Sequence, residues 1–234
     1  ESADQFEQVQ AELYRRQNMD RYSGVGCFSS IIKCGECGSW YGAKVWHSND
    51  KYRRVIYRCN KKYGKGCKCK TPHITEDEIK EMFIKAANEL FSEKDEIIEN
   101  TKTMMDMVCN TDELDKELGD KVAELNIIAE QMQTAIAENS RMALDQNEYE
   151  RRYADLTERY NTIKAEYDKI SQQLESKKVQ RELFKGFIRA LEKQGTLVEK
   201  FDEGLWSSLV QEVVVNAKDD IRFIFKNGFE IKTR

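Results

Sequence analysis

The sequence predicts an α+β fold: a small β-ribbon domain with a long antiparallel helical coiled-coil hairpin inserted between its strands. Three observations support this prediction. Cysteines, glycines and alternating apolar residues are concentrated in residues 27–74, heptad-spaced apolar residues follow in the middle of the chain, and strand-like segments return after residue 201. The last strands need a sheet to join, so we expect them to complete the domain that the first cluster begins.

Residues 27–74 are predicted to form the first part of the ribbon. Apolar and polar residues alternate around glycines there, and the sequence HSND gives a turn signal between two strands. Thr75 and Glu78 have the spacing of a capping box, so a helix should begin at this point. Residues 75–200 are therefore predicted as the helical insertion.

Residues 201–234 are predicted to hold a short helix, capped by Asp202, and the closing strands. Asn227-Gly228 is a typical hairpin turn. The strand-like segments are Val213–Val215, Ile221–Phe225 and Phe229–Ile231.

Two heptad-like seams occupy the middle of the chain. The first, interrupted by Lys121 and Asn139, contains Leu114, Leu118, Leu125, Ile128, Met132 and Ala135. The second contains Tyr149, Tyr153, Leu156, Tyr160, Ile163, Tyr167, Ile170 and Leu174. Such spacing is typical of a coiled coil. The short polar segment ENSRMALDQN separates the seams, so the helices should fold back on each other with a tip near residues 140–147.

Composition favours a soluble chain of several small cores. The protein has 234 residues, of which 34% are charged and 40% hydrophobic, with a net charge of -4. No segment approaches the roughly 20 apolar residues that a membrane-spanning helix needs, and the N-terminus lacks a signal-peptide pattern. We therefore expect a cytoplasmic protein with no membrane partner.

The charge is distributed unevenly along the chain. Residues 33–70 contain eleven lysines and arginines against two acids, a local charge of +9, whereas residues 71–234 carry -11. A basic module is thus joined to an acidic one. A polyanion would be attracted to the basic module alone.

The cysteines indicate a metal site. Cys34 and Cys37 form a CGEC motif, Cys59 follows some twenty residues later, and a CKC motif can supply a fourth ligand. This is zinc-ribbon spacing, and four thiolates around zinc suit a module too small to be stable by burial alone. A redox CxxC pair or a set of structural thiols is the alternative.

The spacing leaves the fourth ligand open among Cys67, Cys69 and His73. Cys27 and Cys109 fall outside the pattern, and we expect them to be ordinary thiols.

The predicted ribbon carries basic and aromatic residues that suit nucleic acid. A two-stranded ribbon fits the DNA major groove, where lysine and arginine neutralise phosphates and side chains read base edges. One alternative is a solvated basic face whose aromatic residues cover the zinc site, with Trp46 in the core. Another is a zinc ribbon that acts as a protein scaffold and does not contact nucleic acid. The candidate DNA-binding residues are Lys44, Trp46, His47, Ser48, Lys51, Arg53, Arg54, Lys61 and Lys62.

Four stretches carry a family resemblance. They are DQFEQVQAELYRR, FSSIIKCGECGSWYGAKVWHSNDKYRRVIYRCN, CKTPHITEDEIKEMF and ALDQNEYERRYADLTERY. Together they resemble the C-terminal region of the large serine recombinases, the integrases and transposases of phages and conjugative transposons. On this resemblance, residues 1–26 are the terminal helix of the preceding recombinase domain and a linker.

The resemblance implies a DNA-binding and synapsis module in the bacterial cytoplasm. Its zinc ribbon would bind double-stranded attachment-site DNA through the ligands Cys34, Cys37, Cys59 and Cys69. Its coiled coil would contact other recombinase subunits and control integration and excision, with a directionality factor as a possible further partner. We expect the contact at the tip, at Met142, Leu144 and Tyr149.

No catalytic residue is predicted in this chain. The nucleophilic serine of the family belongs to a separate resolvase-like domain, and the serines present here lack the arginine-rich surroundings that activation would require. The chain is therefore expected to bind DNA without cutting it.

Overall fold

The computed structural model describes Val9, Leu13 and residues 26–64, 69–141, 145–195 and 197–233. The terminal helix predicted within residues 1–26 therefore lies almost wholly outside the described residues. The chain divides into two compact units, of which the first joins Glu1–Met104 to Glu182–Arg234 and the second is Met105–Arg181. No helix in the described part of the chain is long and apolar enough to cross a membrane.

The first unit contains a four-stranded sheet in the order β1-β5-β6-β7. Its strands are β1 (Ile32–Cys34), β5 (Val210–Ala217), β6 (Asp220–Phe225) and β7 (Glu230–Thr233). The short strand β1 pairs parallel with β5, whereas the three C-terminal strands form an antiparallel meander. The predicted Asn-Gly turn closes the last hairpin, where Gly228 has a φ of 84°.

A three-stranded antiparallel sheet in the order β2-β3-β4 makes up the ribbon. Its strands are β2 (Tyr41–Trp46), β3 (Arg54–Cys59) and β4 (Ile74–Thr75). As expected, the C-terminal strands return to the segment before residue 70, where they pair with β1 and not with the three-stranded sheet. The segment before residue 70 is thus shared between two sheets.

Helices pack around these sheets in the first unit. They are α1 (Glu76–Ser92), the first part of α2 (Lys94–Val108), the last part of α4 (Gln146–Lys193) and α5 (Glu203–Leu209). Trp206 is fully buried at the centre of the core, with ring centroids of Phe28 4.8 Å and Phe83 5.2 Å away. Edge-to-face aromatic packing of this kind gives a small domain a large share of its buried area.

The second unit is an antiparallel helical hairpin of α3 (Asp112–Arg141) and the first part of α4. Every residue of both predicted seams is buried or half-buried, including the polar interruptions Lys121 and Asn139. Lys121 Nζ lies 2.9 Å from Glu166 of the opposite helix. Arg152 likewise lies 3.3 Å from Glu138. The residue number rises from Lys121 to Glu138 along α3, while that of the partner falls from Glu166 to Arg152 along α4, as antiparallel helices require.

A break at residues 109–111 separates α2 from α3. Thr111 is the N-cap position of α3, because its carbonyl accepts from the Asp115 N–H at 2.8 Å. The Asn110 side-chain carbonyl accepts a hydrogen bond from the backbone N–H of Asp112 at 2.8 Å.

The capping box at the start of α1 can be tested by substitution. Thr75 Oγ1 accepts from Glu78 N, and the Glu78 carboxylate accepts from Thr75 N at 2.7 Å. Replacement of Thr75 by alanine should lower the free energy of unfolding of the first unit by about 1 kcal/mol. Urea unfolding followed by the fluorescence of the buried Trp206 measures this change.

Thr103→Ala is the matched control, because Thr103 lies inside α2 and bonds only to the carbonyl of Glu99. Alanine is the better helix former, so this variant should unfold at the same or a slightly higher urea concentration. Equal destabilisation by the two variants would contradict a capping role for Thr75.

Candidate metal centre and nucleic-acid interface

The structure brings four cysteines together at the junction of the two sheets. The sulfur atoms of Cys34, Cys37, Cys59 and Cys69 all lie within 4.8 Å of one another. Sulfurs that bind one zinc ion in a tetrahedron are separated by about 3.8 Å, given a Zn–S distance of about 2.3 Å. The sulfurs of Cys37 and Cys59 are 3.5 Å apart. The donor set and its spacing therefore fit a structural zinc site.

Two tight turns present the cysteines. In the first, Gly38 N–H donates to the Cys34 carbonyl at 2.8 Å, and Gly38 has a φ of 66°, a conformation that favours glycine. A Cβ on Gly35 would lie 1.7 Å from the side-chain oxygen of Asn216 and 3.2 Å from the Val215 carbonyl, so a larger residue there would require the Asn216 side chain to move. The second turn follows β3, where Lys62 N–H donates to the Cys59 carbonyl at 3.2 Å.

The segment after Cys69 is held by contacts to both turns. The Glu36 carboxylate accepts from Lys70 N–H at 2.7 Å. Thr71 is almost fully buried, with its hydroxyl 3.3 Å from Cys34 Sγ, and its carbonyl accepts from Lys62 Nζ. Contacts of this kind orient metal ligands. The amine of Lys62, a predicted DNA contact, thus donates a hydrogen bond within the ribbon domain.

The local environment shifts the pKa of two of the four thiols in opposite directions. Burial raises the pKa of Cys59 to about 11. Burial also opposes ionisation of Cys37, but hydrogen bonds from Cys69 and from the backbone of Ser39 hold the pKa of that thiol below its usual value. Metal binding requires all four as thiolates, so zinc would displace these protons.

The remaining cysteines and His73 lie apart from this cluster or outside the described residues. Cys67 falls in the part of the chain that the structure does not describe. Cys27 is half-buried near Trp206, and burial raises the pKa of its thiol to about 11. Cys109 belongs to the second unit. The ring of His73 packs on Trp46, with centroids 4.7 Å apart.

Eight of the nine predicted DNA-binding residues are exposed, and Lys62 is half-buried. Lys44 and Trp46 lie on β2, Arg54 begins β3, and Lys61 follows β3. The turn between the strands contains His47, Ser48, Lys51 and Arg53.

Internal bonds of one carboxylate fix the turn at the ribbon tip. Asp50 accepts from Tyr52 N–H at 2.7 Å and from the His47 ring at 3.0 Å. His47 has a φ of 54°, which is uncommon for a residue with a Cβ. The tip is therefore shaped before any partner binds.

The two faces of the ribbon differ in what they present. Tyr41, Tyr57 and Cys59 lie on one face and are buried in the core, with Tyr57 5.7 Å from the ring of Phe28. Cross-strand partners share a face, so Trp46 and Arg54 lie together on the opposite side.

The tip of the helical hairpin is described in part. Met142 and Leu144, two of the three predicted contact residues, lie outside the described residues. Tyr149 is half-buried, and its ring stacks on Tyr153 with centroids 5.9 Å apart.

Comparisons with known proteins agree with the resemblance seen in the sequence. Residues 27–88, about a quarter of the chain, match the family model of the recombinase zinc beta ribbon domain. The recognition of a recombinase zinc ribbon is therefore confirmed for this part of the chain. Among curated proteins, none matches significantly.

A solved structure described as "Crystal Structure of a LSR-DNA Complex" is also similar. It shares 17% sequence identity with this chain at a TM-score of 0.36. The match covers 96% of this chain and 64% of the other, so this chain spans less than two thirds of the length of that relative. Identity and TM-score are too low for this likeness to support any further argument.

Substitution of Cys69 should remove tight zinc binding. Four sulfurs already complete a tetrahedron, so the loss of one leaves an open site of much lower affinity. We expect Cys69→Ser to contain less than one zinc per chain after dialysis, measured by a colorimetric zinc assay on protein of known concentration.

Cys67→Ser is the matched control because the residue lies two positions away and changes in the same way. It should retain one zinc per chain, as should Cys109→Ser. Zinc loss in Cys67→Ser with full retention in Cys69→Ser would reverse the ligand assignment.

Proposed function

We propose that this chain is the DNA-binding and synapsis module of a site-specific serine recombinase. In this proposal Cys34, Cys37, Cys59 and Cys69 hold a zinc ion that stabilises the ribbon. The exposed face and tip of the ribbon bind attachment-site DNA. The helical hairpin then contacts another recombinase subunit and so influences integration and excision.

One observation carries the proposal: the segment that matches the recombinase ribbon family also bears the positive charge of the chain. Residues 33–70 have a charge of +9 in a protein of net charge -4. A scaffold that binds only protein does not require such a concentration of charge. Lysine and arginine on a shaped ribbon neutralise phosphates and supply affinity for DNA.

Zinc would have a structural role here and not a catalytic one. When bound, it would join the end of β1 to the end of β3 and thereby fix the base of the ribbon relative to the C-terminal sheet. Lys62, Thr71 and Glu36 would hold the ligand-bearing segments in place. In our proposal these 234 residues contribute binding, whereas strand cleavage belongs to a separate catalytic domain.

The exposed side chains of the helical hairpin support a role in subunit contact. Its seam is filled by its own two helices, so the tip and the outer faces are the surfaces left for a partner. Val122, Ile127 and Ile136 are exposed apolar side chains on α3. The tip residue Tyr149 has a ring that a second subunit can cover.

DNA binding is tested by titrating the zinc-loaded chain into a fluorescently labelled mixed-sequence duplex and measuring anisotropy. Between roughly 50 and 200 mM salt, a protein with four or five phosphate contacts should show a log–log slope of about -4. Protein from which zinc has been removed should bind much more weakly, because the ribbon loses its shape. A folded, zinc-loaded sample that fails to bind at low salt would overturn the proposal and make the ribbon a protein-binding surface.

The subunit contact is tested at the tip. Sedimentation velocity of the chain on DNA should detect association, and Tyr149→Ala should weaken it on the order of tenfold, since buried tyrosines are frequent hot spots. Tyr160→Ala is the control, because Tyr160 lies in the middle of the seam. It should lower the melting temperature of the hairpin more than it changes association. Equal association of Tyr149→Ala and the unmodified chain would place the contact elsewhere.

A further inference from the structure

The exposed face of the ribbon continues from the tip to the metal centre. The pairs Trp46 with Arg54, Lys44 with Ile56, and Gly42 with Arg58 follow one another along β2 and β3. Because cross-strand partners and alternate residues share a face, Arg54 and Arg58 lie on the same side. Four residues at about 3.3 Å each separate their backbones by about 13 Å.

Each of these arginines is stacked on an aromatic ring. The Arg54 guanidinium lies 5.5 Å from the ring centroid of Trp46. The Arg58 guanidinium lies 4.6 Å from that of Tyr63. Stacking fixes a guanidinium while leaving its N–H donors directed outward, so less side-chain entropy is lost when it binds an anion. Within the described residues, no carboxylate pairs with either arginine.

The ring of Trp46 is itself held in place. Trp46 lies on β2 and His73 immediately precedes β4, with β3 between them in the sheet. Their rings are nevertheless 4.7 Å apart, so they meet across β3. This explains why Ile56, which lies on the same face, is fully buried. Trp46 is therefore a support for Arg54 and not a ring free to insert between bases.

We propose that Arg58, stacked on Tyr63, is a second phosphate-binding group, and that DNA lies along the face from Arg54 to Arg58 instead of touching the tip alone. The inference rests on the proposed DNA binding, and it adds the direction in which the duplex lies along the ribbon. The base of the opposite face, at Tyr41, Tyr57 and Cys59, is buried in the core, so beside Arg58 this face is the side of the ribbon open to a duplex. Two fixed cations about 13 Å apart along a strand suit successive contacts along a phosphate backbone.

The test compares salt dependence of duplex binding among arginine variants of the full zinc-loaded chain. Arg58→Gln should lower affinity on the order of tenfold and reduce the magnitude of the log–log salt slope by about one, as the loss of one phosphate contact predicts. Arg54→Gln should do the same, and the double variant should lose about two. The probe is a fluorescently labelled mixed-sequence duplex.

Arg222→Gln is the matched control for the loss of one positive charge. Arg222 lies on β6 of the other sheet and is paired with Asp220 at 2.9 Å and Glu230 at 3.1 Å. Its substitution should leave the slope unchanged. Arg58→Lys keeps the charge beside the ligand Cys59 and should keep the slope of the unmodified chain, so a folding defect in Arg58→Gln is not confused with a lost contact.

Tyr63→Leu removes the aromatic ring that stacks on Arg58 but keeps the charge of the arginine. Tyr63 is 74% exposed, so its replacement should not disturb the core. Loss of the stack should weaken binding about twofold to fivefold with no change in slope, because the cation remains. Zinc content and circular dichroism of each variant are measured alongside.

The outcomes separate this inference from the function on which it rests. If the unmodified chain binds DNA, Arg54→Gln lowers the slope and Arg58→Gln behaves like Arg222→Gln, DNA contacts the tip alone and the inference is wrong while DNA binding stands. If the folded, zinc-loaded unmodified chain binds no duplex at low salt, both fail. A reduced slope in Arg58→Gln together with weaker binding at an unchanged slope in Tyr63→Leu supports the inference.

Discussion

The cysteine cluster is the constraint on which the first unit depends, because it joins two sheets that share no strand. Cys34 ends β1 in the four-stranded sheet, and Cys59 ends β3 in the ribbon. The segment bearing Cys69 leads to β4 and the long helix α1. One bound ion would thus fix three chain segments at a single point. The ribbon has only three strands, two of six residues and one of two, and a sheet of that size has little stability of its own.

The ribbon is attached to the rest of the first unit at one end and along part of one face. This attachment determines which of its surfaces can bind a partner. The lower part of its inner face packs against Phe28 and the core, and its base carries the cysteines. The turn at the tip and the other face are left to bind a partner. On that face two arginine guanidinium groups stack on aromatic rings. A partner that binds there meets groups already in position, so little conformational entropy is lost on association. This rigidity distinguishes the surface from a simple cluster of mobile lysines.

The features that the sequence predicted well are those set by local interactions. The Thr75 capping box, the Asp202 cap and the heptad seam need only near neighbours in sequence, and the structure contains all three. The pairing of β1 with β5 was missed because it joins segments about 180 residues apart, and parallel pairing has no local turn signal. The face that each ribbon residue occupies was hard to predict for a related reason: strand register decides the face, and register depends on distant partners.

The helical hairpin shows how a weakly buried seam can still specify one arrangement. Much of the seam is tyrosine and other half-buried residues, so apolar packing alone discriminates poorly between neighbouring registers. Lys121 lies in the seam and reaches Glu166 at 2.9 Å, while the Gln146 amide donates to Asn139 at 3.1 Å near the tip. A shift of one turn would leave these polar groups facing tyrosine and leucine side chains. Both contacts are open to solvent, with the Glu166 side chain 51% exposed, so each favours the native register only modestly and acts together with the apolar seam. The position of the tip, and hence any contact made there, follows from this register.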